Sequence, residues 1–532
     1  MASSIRDLVP TPRFANGSLS RLWRDAAMLA PALSAALLLS VATAHAEGLT
    51  VTTTADPGAG SLREAIERAN ASQGADTISF APGVSGAIEL GAELPQIASD
   101  LSVAGPGQGA LTVRRALGAA TDFRVFDIGN FTVSISGLTI SNGRGLGAGI
   151  QSNGRLTLDH VTVSGNESVE SSDAASGGGV FAGGSLVLRD SIVSGNVTQS
   201  MGADPNASSA GLQLRGHGEI VRSTISGNLA EASASAGEAG AFNAVQLLEG
   251  PWVIEQSTIS GNVARAHGVT GAESEGAGAV LENTTVIGST ITGNVAEAST
   301  ITGPVTVRGA NVVGIHRDGV PDVVVRDSIV SNPKGGASCA GTLISGGFNI
   351  DDGASCGFNQ PTDHSGVDPG LAPSLADNGG PTPTFALLPG SIAIDQGNAF
   401  GAATDQRGLA RPSDFGAIAN VPGGDGSDIG AFELIDATPP NTRIDHGPPH
   451  RARRHLAKFR FSSTEPASHF LCKLDKRRFK PCASPFKHKV KPGKHTFRVR
   501  AIDLAGNADP TPAKYVWRVK AKRHRHKHHA AR

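Results

Sequence analysis

The chain has 532 residues, with 46 Lys+Arg against 47 Asp+Glu, 68 Gly, 30 Pro, 4 Cys and only 4% aromatic residues. A length of this order holds roughly two to four domains, and its 39% hydrophobic residues are enough for a sizeable core. So much glycine with so few aromatics does not fit an ordinary helical enzyme, and the lack of a Gly-X-Y period excludes collagen.

The near-zero balance hides a split. From Glu47 to Ala437 there are 17 Lys+Arg and 40 Asp+Glu, a net of −23, with Lys334 as the sole lysine. From Thr438 to Arg532 there are 25 Lys+Arg and 5 Asp+Glu, a net of +20, together with ten of the 16 histidines. Asymmetry of this size marks separate modules with separate partners, and a small module of that charge attracts anionic polymers.

The N-terminus reads as an export signal over 1–46. Arg6, Arg13, Arg21 and Arg24 precede an apolar run from Ala26 to Ala44, broken by Pro31 and ending in Ala44-His45-Ala46. That ending fits a signal cleavage site, which places the mature start near Glu47. At 19 residues the run is also long enough for an uncleaved anchor. No later run could span a bilayer. Export puts the four cysteines in an oxidising place, and they fall as two local pairs, so disulfides Cys339–Cys356 and Cys472–Cys482 are expected.

The stretch 47–130 is expected to hold a cap and the first coils. Ser61-Leu62-Arg63-Glu64 is a capping box, and Leu62, Ala65, Ile66 and Ala69 make one apolar face, which predicts a helix over 61–70 covering the open end of a repeat. A strand is expected at Asp76–Phe80.

The stretch 131–340 is repetitive. HVTVSGN (160–166), DSIVSGN (190–196), STISGN (223–228 and 257–262) and STITGN (289–294) read alike, flanked by LTISNG (138–143) and DSIVSN (327–332). The asparagines of SGN and TGN follow one another at 30, 32, 34 and 32 residues, a solenoid period. Within each repeat the pattern alternates: Leu156, Leu158, Val161 and Val163 in one strand region, Leu186, Leu188, Ile192 and Val193 in the next. Gly-rich elements such as 177–180 and 276–280 suit corners where backbones approach closely. Polar stretches such as 167–176 and 230–238 are expected to loop outward. The architecture that follows is all-β: a right-handed parallel β-helix with an N-terminal capping helix, then a β-sandwich. Asn166, Asn196, Asn228, Asn262 and Asn294 would stack as a structural ladder, each in the left-handed region that Asn tolerates.

Taken with that architecture, VTTTADPGAGSLREAIERANASQGADTISF (51–80) resembles the N-terminal motif of secreted right-handed β-helix proteins of the CSLREAI type. Where that family often has Cys before SLREAI, this chain has Gly60, so no disulfide is expected there. DNGGPTPTFALLPGSIAIDQGN (377–398), TDQRGLARP (404–412) and SDIGAFE (427–433) resemble the choice-of-anchor Q domain, which implies that 341–437 closes the β-helix. Its motif residues Asp395, Asp405, Arg407, Arg411 and Asp428 are expected to order a loop-rich cap. FLCKLDKRRFKPCASPF (470–486) and GKHTFRVRAIDLAGNADPTPAKYVWRV (493–519) resemble a bacterial Ig-like domain, assigned to 438–519. The basic, His-rich tail 520–532 is expected to be disordered.

Candidate chemistry is thin. The column ahead of the repeat strand is His160, Asp190, Arg222, Gln256, Gly288 and Asp327, read as solvent-facing corner residues. Asp159, His160, Asp190 and Arg222 make its best catalytic cluster, since adjacent coils bring equivalent side chains about 5 Å apart and glycosidases need two neighbouring carboxylates. No metal site and no cofactor are expected, and calcium has no clear motif. Lys476, Arg477, Arg478, Lys480, Lys487 and Lys489 are the expected polyanion contacts. The reading is a secreted or cell-surface, monomeric, adhesin-like or glycan-binding β-helix protein, held by its basic module to an extracellular polysaccharide or anionic envelope polymer. No specific nucleic-acid partner is expected. The rival is a β-helix polysaccharide lyase or glycoside hydrolase.

Overall fold

The computed structural model describes residues 46–521 apart from 172, 173, 417, 437, 467 and 504. The apolar leader through His45 and the basic tail beyond residue 521 therefore lie outside the described residues. No helix among the described residues is long and apolar enough to cross a membrane.

Parallel pairing dominates. The strand Arg155–Asp159 lies in register between Thr132–Ser136 and Ser185–Arg189, so Leu156 stacks on Leu186 and Leu158 on Leu188. The next wall is an 11-stranded parallel sheet in which Val163, Val193, Ile225, Ile259, Ile291 and Val330 form one column. These columns fill the interior and are almost wholly buried. The chain is thus a parallel β-helix, in which apolar residues recur because each floor must cover the one below. The run read as a single strand region bends: Ile192 points partly outward, and Ser191 takes the buried corner that Val161 holds one floor earlier. Helix Leu62–Ala71 starts the stack, with Ser61 as N-cap and Leu62, Ala65, Ile66 and Ala69 buried. The Glu64 carboxylate accepts from the amide of Gly60 rather than that of Ser61, one residue before the position a capping box predicts.

Two polar ladders run inside this apolar stack. Asn166, Asn196, Asn228 and Asn262 each donate from Nδ2 to Oδ1 of the asparagine on the next floor, at 2.9 Å, and Asn294 donates in the same way to Asn311. The left-handed conformation belongs to the preceding glycines, such as Gly165 (φ 63°) and Gly227 (φ 64°), not to the ladder asparagines. In the flanking copies Asn142 (φ 58°) and Asn332 (φ 52°) take that glycine position, where the αL tolerance of Asn is used. A serine ladder runs parallel: the amides of Val161, Ser191, Ser223, Ser257 and Ser289 each donate to the hydroxyl one floor on. The Gly-rich elements pack against the asparagines; a Cβ at Gly179 would lie 2.5 Å from the Gly211 carbonyl oxygen and 3.0 Å from Asn196 Nδ2.

The polar stretches do not loop out. Glu167–Glu170 and Ala174–Ser176 begin two further five-stranded parallel sheets, and Leu229–Ala234 and Glu238–Phe242 continue them. Between the sheets lies a core of alanines, including Ala207, Ala230, Ala232, Ala241, Ala264 and Ala266. Side chains this small let two sheets pack closely, so the alternation Ala-x-Ala builds a side lobe instead of an insertion.

After the last floors the chain forms a β-sandwich. A five-stranded sheet and a three-stranded sheet enclose Phe459, Phe497 and Trp517, with the Phe459 and Phe497 rings stacked at 4.0 Å. Both disulfides are formed, Cys339–Cys356 and Cys472–Cys482.

Asn228→Ala removes the side-chain bonds to Asn196, Val193 and Asn262 at once and leaves the buried amide of Asn196 without its acceptor. It should destabilise the stack by about 4 kcal/mol in denaturant titration. Ala232→Leu should cost about 2 kcal/mol by overpacking the side lobe, read in the same titration.

Candidate functional site

The turn between two walls repeats on successive floors with a left-handed residue at its apex: His160 (φ 52°), Asp190 (φ 47°), Arg222 (φ 46°), Gln256 (φ 47°), Gly288 (φ 52°) and Asp327 (φ 52°). The shared conformation stacks these residues into one column. At its exposed end, Arg222 grips Asp190 through two bonds, Nε to Oδ1 at 2.8 Å and Nη2 to Oδ2 at 2.5 Å. His160 Nδ1 lies 2.8 Å from Asp159 Oδ1, and both side chains are about half exposed. One donor atom each of Asp159, His160 and Asp190 lies within 4.8 Å of the others. The four residues singled out from sequence are therefore neighbours. Arg222 also faces a cleft of about 360 Å³, lined by Arg189, Glu219, Glu255 and the loop 401–404. The hydrogen bond to Asp190 holds the Arg222 guanidinium above its ordinary value.

The other end of the column is not solvent-facing. The segment 382–433 lies along the side of the stack as a strap. Gln406 bonds Thr224 and Thr258, the amide of Ala431 bonds Thr290, and Thr224 bonds the Pro383 carbonyl. Arg411, fully buried, donates to Gln256 (2.8 Å) and Asp327 (2.7 Å). The repeat copies that read STISGN or STITGN are those whose threonines the strap covers. Asp405 pairs with Arg407, Asp395 accepts from the amide of Phe415, and Asp428 accepts from those of Asp395 and Leu434. A positive charge on Arg411 faces Asp327 and Glu433, with Asp428 beside them. Burial pushes Asp327 well up despite Arg411. Burial raises Asp428 to about 8, helped by the charge of Glu433, and raises Glu433 to about 7 against the pull of Arg411. Burial likewise raises Asp395 to about 6.

In the sandwich, Arg477, Arg478 and Lys480 line a cleft of about 250 Å³ with Phe486 and His488. Lys487 and Lys489 alternate outward on the strand Phe486–Lys489, and Lys487 sits opposite Lys458. Lys476 lies in the turn after the strand His469–Leu474. A second basic surface joins Lys473, Lys494 and Arg451, which lie in stretches already basic in sequence, to Arg498, Lys514 and Arg518, which the sequence reading did not single out. Cross-strand neighbours on the five-stranded sheet are Lys473, Arg498 and Lys514 in one row, and Arg451, Arg518 and Lys494 in another. Among the described residues the module's ion pairs are Arg443–Asp445 and His495–Asp475, so none of those six bases is neutralised. Its signal was the alternation Phe497-Arg498-Val499-Arg500, core inward and base outward.

No family model and no curated protein sequence matches the chain. Among solved structures it is similar to the A-module of the mannuronan C-5 epimerase AlgE6 of Azotobacter vinelandii, over 57% of this chain and 86% of that one, at 15% identity and a TM-score of 0.23. A likeness at that level decides neither fold nor function, and the architecture rests on the strand registers.

Chemically, the corner cluster offers one half-exposed Asp–His pair. Asp190 is 7% exposed and has both oxygens committed to Arg222, which removes it as a free nucleophile or base.

The strap carries a pH dependence whose sign follows from its raised carboxyls. The folded chain holds protons that the unfolded chain has lost, so this contribution is whole below the ordinary carboxylate range and is lost as pH rises through about 7 to 8. Thermal unfolding should move down by several degrees between about pH 5 and about pH 8.5, and Glu433→Gln should reduce that slope, leaving the part carried by the buried Asp428.

Proposed function

We propose that the chain is a secreted, monomeric binding protein, in which a β-helix of the CSLREAI and choice-of-anchor Q type is held to an anionic extracellular polymer by a basic Ig-like module. The observation that supports this reading most is the pair of like-charged rows, Lys473–Arg498–Lys514 and Arg451–Arg518–Lys494. Like charges directly opposite on a sheet destabilise it. Six of them without acidic partners make sense on a surface whose counter-charge comes from outside. The rows of bases along the sheet suit an extended polymer, and the Arg477–Lys480 cleft beside Phe486 adds a second contact strip. Two disulfides suit an oxidising location. The β-helix, with its acids in excess, then projects as the part that meets other glycans or cells.

A second reading, a polysaccharide lyase or glycoside hydrolase, is favoured by the meeting of Asp159, His160 and Asp190 beside a cleft. It requires an Asp190 freed from Arg222. Release of unsaturated or reducing sugars from a polysaccharide panel, abolished by Asp159→Asn, would establish it in place of the binding reading.

The test of the binding reading uses the full chain on immobilised teichoic-type and acidic glycan polymers, with DNA as comparator. Binding should be retained at low salt, weaken as added salt shortens the Debye length below about 10 Å, and be stronger for the envelope polymers than for DNA. Arg498→Ala with Arg518→Ala should cost about tenfold in affinity, about 1.4 kcal/mol, without changing the melting curve. Unchanged affinity in that variant, or a preference for DNA, rejects the proposal.

A further inference from the structure

The junction between the strap and the sandwich holds an acidic cluster that no part of the reading above uses. Asp436 closes the segment that follows the strap. Glu465 lies in the loop after the strand Leu456–Ser463, and Asp503 follows the strand Gly493–Ile502. One carboxylate oxygen from each lies within 4.8 Å of the others. The three come from three separate places in the chain, which is why no motif announced them.

Their surroundings make the convergence costly. Glu465 and Asp503 are two of only five acids in a module with 25 Lys+Arg, yet among the described residues neither they nor Asp436 has a basic partner. Asp503 is 3% exposed. Its Oδ1 accepts from the amide of Asn507 at 2.7 Å, while its Oδ2 is sealed from solvent with no hydrogen-bond partner. An unpartnered oxygen on a buried carboxylate that faces two others is a coordination position left open. Burial, joined by the charges of Asp436 and Asp503, also holds the Glu465 carboxyl above its ordinary value. One oxygen of Asp436 is occupied by the amide of Thr438, which leaves its second free.

We propose that Asp436, Glu465 and Asp503 form a calcium site at the junction of the strap and the sandwich. The ligands are all hard carboxylate oxygens, with no nitrogen or sulfur, which selects calcium or magnesium over zinc. Calcium binds oxygens at about 2.3–2.6 Å, and carboxylate oxygens within 4.8 Å of one another are close enough to share one such ion. Water completes the remaining positions. The ion would tie the end of the strap to two loops of the sandwich. Asn507 Nδ2 already bonds the Asp436 carbonyl there at 2.7 Å, and Ala505 packs on the apolar cluster of Ile329, Ile350 and Ile394. The site would thus fix the joint between the two modules. It does not depend on which polymer the basic face binds.

The test is calorimetric titration of calcium chloride into the chelator-treated full chain, with thermal unfolding followed in parallel. One calcium per chain is expected, with a dissociation constant of about 0.1–1 mM, the range of extracellular modules, together with a rise in melting temperature. Glu465→Gln and Asp436→Asn are partly exposed and should fold normally by circular dichroism; each should weaken calcium binding at least about tenfold. Asp159→Asn, at the corner cluster, should leave it unchanged. No calcium heat at about 10 mM with the unaltered chain overturns the proposal, because that exceeds the expected constant. Full affinity in both junction variants, or loss of affinity in Asp159→Asn alone, overturns it equally.

Discussion

The asparagine ladder is the constraint on which the β-helix depends. Each buried amide finds its partner only on an adjacent floor, so a floor that slipped in register would strand two polar groups inside an apolar core. Apolar columns alone would tolerate sliding, since leucine packs on leucine or isoleucine with little preference. The ladder makes the stack discrete. Its ends show the same logic. Above Asn166 the accepting oxygen is used by the amide of Gly143, and below Asn294 the partner is Asn311, only 17 residues on, borrowed from the approach to the next wall. Asn311 then ends the series on the Ser331 carbonyl and the Ser338 hydroxyl. The serine ladder ends comparably, on Asn349.

A corner held this rigidly becomes a template for the chain that returns to it. The strap has almost no regular secondary structure of its own and is ordered by what it touches. Arg411 reaches Gln256 and Asp327 because those residues stand in one stacked column, and Gln406 bridges Thr224 and Thr258 for the same reason. A buried guanidinium facing several acids contributes little net stability, but it penalises any other placement of the strap, because displacement would leave charges unpaired in the interior. The strap therefore runs alongside the stack instead of simply closing its end.

What the amino-acid sequence made legible tracks how local each rule is. The ladder imposes an asparagine at a fixed place in five successive coils, and the period could be read from that residue alone. The capping helix announces itself within ten residues through Ser61 and its apolar face. The side lobe was illegible because its core is alanine. Ala230-Glu231-Ala232-Ser233-Ala234 looks like low complexity until a second sheet is known to lie opposite. The placement of Arg411 depends on partners 84 and 155 residues away, which no local pattern encodes. The basic face was hidden differently: its bases are spread through the sequence and gather in two rows only when four strands pair.

Partner chemistry goes where the fold leaves charges unanswered. On the β-helix, many arginines are answered within a floor or two: Arg265 by Glu231 and Glu297, Arg308 by Glu273 and Glu275, Arg189 by Glu219. The corner follows this habit. Arg222 consumes Asp190, and what remains is a single Asp–His pair, short of the two free carboxylates that glycoside hydrolysis requires. A bidentate pair so enclosed orders the turn and is expensive to open for each catalytic cycle. The sandwich does the opposite. It sets base against base across paired strands and supplies no acid on that face. A surface that gives up internal neutralisation in this way gains nothing from the fold itself, and this is the ground on which the proposed binding of an anionic polymer rests.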